Sequence, residues 1–115
     1  MTYKEVNTMI KAVGYPCAYY QFPNNTPQSP PFICFFYPNN RDMKADDSNY
    51  CKIEHLVIEL YTDTKDFDAE AAVESVLSQY DMVWTRSETG IDSERMYEVI
   101  YEMDVIITED LNNEQ

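Results

Sequence analysis

The sequence predicts an α+β fold in which a mainly antiparallel sheet carries two helices packed on one face. Three observations point there. Two segments repeat apolar residues at helical spacing, residues 96–107 alternate at strand spacing, and the links between strand-like runs are short. A helix stripe needs a sheet face to bury against, and short links favour antiparallel neighbours. The expected order is α-β-β-β-α-β-β.

Thr2 followed by Glu5 fits a capping box, in which each side chain satisfies a free amide at a helix start. Val6, Met9, Ile10 and Val13 then fall on one stripe, predicting a helix over residues 3–13. Gly14 suits the left-handed C′ position and Pro16 blocks continuation. Residues 17–22 are short, aromatic and β-prone, and Pro23 ends them ahead of the polar, proline-rich NNTPQSPP. Residues 32–37 read as a second strand closed by Pro38, and residues 39–49 as a loop of mixed charge.

A third, longer strand is expected over residues 50–62, with Leu56, Ile58 and Leu60 on one face and His55, Val57, Glu59 and Tyr61 on the other. The acids between Asp63 and Asp68 are N-cap candidates for a helix whose stripe is Ala69, Ala72, Val73, Val76, Leu77 and Tyr80. Residues 82–89 predict a strand and Gly90 a turn. In the last strand Tyr97, Val99, Tyr101, Met103, Val105 and Ile107 oppose Glu98, Glu102 and Asp104. Residues 1–108 are read as one domain and residues 109–115 as a polar, frayed tail.

The formal net charge of −13 sets the strongest functional constraint. It repels nucleic acid and anionic membranes, so direct DNA recognition is not expected. With two glycines there is no glycine-rich phosphate cradle. The first fourteen residues lack the apolar core of a signal peptide, and no run reaches membrane-span length, so the chain is expected to be made and kept in cytoplasm. Cys17, Cys34 and Cys51 form no CxxC pair and read as buried thiols that behave as small hydrophobes in a reducing compartment.

Candidate chemistry is sparse. His55 is the only histidine, and Glu54 and Glu59 near it raise a metal or acid–base reading. A strand histidine on the outer sheet face is the simpler reading. Cys51 and His55 would lie about 13 Å apart at strand rise, too far for a nucleophile pair. Asp63, Asp66, Asp68 and Glu70 lack the glycine and glutamate positions of an EF-hand, and read as capping and solvated charges. No hydrolase or phosphate-binding pattern occurs, so no enzyme activity, cofactor or metal is expected.

The remaining candidates are contacts. Arg41, Asp42, Lys44, Asp46 and Asp47 mix signs in the 39–49 segment, as suits a contact loop. Arg86 and Arg95 bracket Gly90 among Glu88, Asp92 and Glu94. They read either as a surface salt-bridge network or as an edge that docks onto an acidic neighbouring subunit.

The stretches "PPFICFFYP", "IEHLVIELYTDTKD", "EAAVESVL" and "SERMYEVIYEMDVII" resemble the small neck proteins of long-tailed bacteriophages and of prophages of Gram-positive bacteria. The resemblance spans about residues 3–107 and is one of pattern, with no catalytic signature. It implies a tail-terminator or tail-completion protein, whose α+β subunits form a hexameric ring that stops tail-tube growth and joins the head connector. The implied partners are copies of itself, the tail-tube protein and the head connector or head-closure protein. The implied location is the virion neck, after assembly in host cytoplasm.

Six copies at −13 each would place −78 formal charges around a channel that DNA traverses without specific binding. A head-closure or head–tail adaptor protein of the same neck is the nearest alternative. An acidic binding module, such as a DNA mimic or inhibitor, is the alternative of another class, and a small hydrolase a third.

Overall fold

The computed structural model describes residues 1–23, 28–45, 48–91 and 95–108, and the expected tail at 109–115 lies outside them. The Thr2 capping box forms: the Thr2 amide donates to Glu5 Oε1 at 2.8 Å and the Glu5 amide to Thr2 Oγ1 at 3.0 Å. Helix α1 then runs Tyr3–Lys11 and is capped by Ala12. It stops two residues earlier than the stripe suggested. Gly14 accordingly sits one position beyond C′, still at φ +99°. Helix α2 spans Phe67–Gln79, and Asp66 is its N-cap, accepting from the Ala69 amide at 2.9 Å.

Five strands form the main sheet: β1 (Cys17–Tyr19), β2 (Phe32–Asn40), β5 (Ile53–Thr62), β6 (Thr85–Ile91) and β7 (Met96–Ile106). Between β2 and β5 the chain makes a separate ribbon of β3 (Met43–Ala45) and β4 (Ser48–Cys51). The spatial order is β1-β2-β5-β7-β6, antiparallel except for β1 beside β2. That parallel pair departs from the short-link expectation. The proline-rich connection is long enough to return the chain to the same end of the sheet, as parallel neighbours require.

Four further expectations are corrected. The 39–49 segment is no simple loop: β2 continues to Asn40 opposite Glu54, and β3 pairs with β4. Pro38 does not close β2, because it falls in a bulge between Phe36 and Asn39, where a missing N–H costs no ladder bond. The 50–62 strand is broken at Lys52, whose carbonyl accepts from the Ile107 amide at 2.9 Å as the chain changes partners. Gly90 is no turn but pairs with Tyr97 inside β6.

Both helices cover one face. Val6, Met9 and Ile10 of α1 and Ala69, Val73, Val76 and Leu77 of α2 pack on Ile33, Phe35, Leu56, Ile58, Leu60, Val99, Tyr101, Met103 and Val105. Period-2 alternation sends Val99, Tyr101, Met103 and Val105 of β7 into this core and its even residues to the opposite face, while Tyr97, at the start of the strand, is exposed. Burying each large aliphatic side chain contributes about 2 kcal/mol, which makes these strands the rigid platform for the uncovered face.

Candidate functional site

The uncovered face is where the sheet can meet another molecule. Its rows follow from the β5–β7 register, which sets His55 opposite Asp104, Val57 opposite Glu102, Glu59 opposite Ile100 and Tyr61 opposite Glu98. On the other side of β5, Phe32 stands opposite Tyr61, Cys34 opposite Glu59 and Phe36 opposite Val57. Two polar clusters arise, one at each end of this face.

The first is a clamp on His55. Its Nδ1 lies 2.9 Å from Asp104 Oδ1 and its Nε2 lies 2.9 Å from Glu102 Oε1. Arg41 Nη1 donates to Asp104 Oδ2 at 3.4 Å. Two carboxylate acceptors are satisfied together only by a ring with both nitrogens protonated. Hydrogen bonds to Glu102 and then Asp104 hold the His55 pKa above its ordinary value, against burial and Arg41. The histidine is 8% exposed although no helix covers it, because its neighbours' side chains close over it. Its outer-face position agrees with expectation. The partners do not: they come from β7, whereas Glu54 accepts from the Tyr3 hydroxyl at 2.6 Å.

The second cluster is a carboxyl pair. The Tyr61 hydroxyl lies 3.2 Å from Glu59 Oε1 and 3.2 Å from Glu98 Oε2. Burial, then the Glu98 carboxyl, push Glu59 up to about 7. Burial also raises Cys34 to about 11, with Glu59 adding to it.

Over Glu59 and Tyr61 opens a groove of about 740 Å³. Cys34, Glu59 and Tyr61 line it from the sheet, Tyr20 and Phe22 from the segment after β1, and Met96 from β7. Phe32 stacks on Tyr61 with centroids 4.9 Å apart and meets Phe22 edge-on at 5.6 Å. Tyr20, held at φ 68°, meets Phe36 edge-on at 5.7 Å.

The sequence-predicted contact residues fall elsewhere. Arg86 is on the helix-covered face and binds α2: its Nη1 lies 3.2 Å from Glu70 Oε1 and 3.3 Å from Glu74 Oε2. Lys65 completes that network at 2.8 Å from both Glu70 and Glu88, and the Tyr101 hydroxyl donates to Glu74 at 2.9 Å. Glu70 is 3% exposed, so its two cations offset a desolvation cost that a lone buried carboxylate could not meet.

Arg95 is exposed, at φ 54°, just before β7. Asp42 Oδ1 accepts from the Ile53 amide at 2.9 Å, and the Arg41 amide donates to the Ile53 carbonyl at 2.7 Å. These two bonds clamp the base of the β3–β4 ribbon. Lys44 is exposed on β3, while Asp46 and Asp47 lie outside the described residues. Cys51, on β4, and His55, on β5, belong to different sheets. Among the described residues, no group of three His, Cys, Asp or Glu side chains is arranged to hold a metal ion.

Fold and uncovered face together define the class: a two-layer α+β domain with one acidic, aromatic sheet face that no helix covers. No family model and no curated protein matches the chain. A chain of a solved particle, "Virion of native gene transfer agent (GTA) particle", has a similar fold, with a TM-score of 0.63 and 13% identity. The likeness covers 91% of this chain and 90% of that one.

Proposed function

We propose that this protein is a structural protein of a phage-like virion, with a place in the neck as a subunit of the ring that ends the tail tube and joins it to the head connector. The fold likeness to a chain of the gene transfer agent particle over 91% of this chain carries the reading. A two-layer subunit with one sheet face uncovered is built to have that face buried by neighbours, and −13 per copy suits a ring that DNA passes without gripping. The protein acts by assembly rather than catalysis. Its partners are copies of itself in a closed set of six, the tail-tube protein and the head connector or head-closure protein.

The test is complementation of a phage lacking this gene. Loss of infectious particles, with unjoined heads and tails under the microscope and the protein present in complemented virions, is the expected result. Normal joining without the gene would refute the neck assignment.

A further inference from the structure

Two carboxylate clusters among the described residues carry their own counter-charge. Glu70, Glu74 and Glu88 face Lys65 and Arg86, and Glu102 and Asp104 face His55 and Arg41. Glu59 and Glu98 face each other and the Tyr61 hydroxyl, and no lysine or arginine among the described residues pairs with them. All eight lysines and arginines lie within the described residues, so no cation of this chain remains to be placed there. Glu59 lines the aromatic groove together with Phe32, Tyr61 and Met96, and Glu98 reaches it through the Tyr61 hydroxyl, 3.2 Å from its Oε2. Aromatic faces carry negative potential and attract cations, most strongly where water is excluded. A guanidinium can pair with a carboxylate and stack on a ring at once.

We propose that this groove receives an arginine or lysine side chain from an extended basic segment of a partner protein, with Glu59 and Glu98 as counter-ions and Phe32 and Tyr61 as the stacking surface. Charge complementarity selects this occupant: the groove is lined by the Glu59 carboxyl and by aromatic rings. That the partner belongs to a particle rests on the assembly reading above; the chemistry of the groove does not. The titratable groups facing Glu59 are Cys34 from β2, Tyr61 from β5 and Glu98 from β7, with Tyr20 at the rim, while α1 and α2 lie behind the sheet. A cation entering the groove therefore favours the ionised form of Glu59, and binding strengthens as pH rises from 6 to 8.

The experiment titrates the ¹⁵N-labelled full chain with a blocked pentapeptide carrying a central arginine, and with its citrulline counterpart, which has the same shape without the charge. Expected are saturable amide shifts at Cys34, Glu59 and Tyr61, at least about tenfold weaker binding of the citrulline peptide, and a similar loss in Glu59→Gln. Glu98→Gln serves as the second variant, and amide spectra report that both are folded. Equal binding of both peptides, shifts spread evenly over the acidic surface, or no saturation overturns the proposal. Identical shifts on raising protein concentration without peptide would give the groove to a second copy and overturn it too. Because the readout needs no virion, a negative result here leaves the neck assignment standing, and failure of complementation leaves the groove standing.

Discussion

At Glu59, burial and the adjoining Glu98 carboxyl hold the acid up to about 7, above its ordinary 4.5. A raised folded-state value means the native protein holds a proton that the unfolded chain has released. The resulting stabilisation is full below pH 4.5 and is lost as pH rises through about 7. His55, raised above 6.5 by Glu102 and Asp104, acts in the same direction at higher pH. Melting temperature should therefore fall between pH 5 and pH 8. Glu59→Gln, neutral at every pH, should melt about 2–5 °C above wild type at pH 8 and show a smaller gain at pH 5. An equal gain at both would mean that Glu59 does not titrate in this range.

Arg86 and Arg95, alike in sequence, separate in the same way. Arg86→Glu sets a third carboxylate against Glu70 and Glu74 and should destabilise the subunit in thermal melts. Arg95→Glu, on an exposed turn, should shift unfolding by less than about 0.5 kcal/mol and so tests assembly without confounding the fold. Tyr101→Phe should cost about 1 kcal/mol in denaturant unfolding, the net value of its bond to Glu74.

Among the elements, those written in local chemistry were legible. The Thr2 box, the N-cap candidates between Asp63 and Asp68, of which Asp66 is the cap, and the alternation from Met96 place α1, α2 and β7 within a few residues. The parity of β5 put His55 and Glu59 on the uncovered face correctly. What lay out of reach was register. Nothing local says that residue 55 stands opposite 104 or 61 opposite 98, so the His55 clamp and the Glu59–Glu98 pair could not be assembled from spacing.

The β3–β4 ribbon was missed for a related reason. Its strands are three and four residues long and pair only with each other, giving no period to read. Its base is clamped at Arg41, Asp42 and Ile53. Replacing residues 43–51 by a short glycine-containing turn should leave the main sheet within about 1 kcal/mol of wild type, since loop closure changes slowly with length. The same replacement should abolish joining of tails to heads if the ribbon reaches a neighbouring ring. Wild-type titres from a folded variant would make it a passive connector.

For the whole molecule, charge and shape work against each other. Copies at −13 repel, so the proposed ring would need either screening or a partner that supplies cations to close. Raising ionic strength from about 0.05 to 0.5 M shortens the screening length well below the 10 Å of 0.1 M salt. Sedimentation should then show self-association increasing with salt, while binding of a basic partner at the Glu59 groove weakens. Movement of both in one direction would show that the same contacts serve both.

The most direct measurement is native mass spectrometry of the purified protein with and without tail tubes from the same phage. A closed complex of six 13.5 kDa subunits, alone or capping the tube, is expected. A 13.5 kDa monomer that persists at high salt and ignores the tubes would contradict the ring.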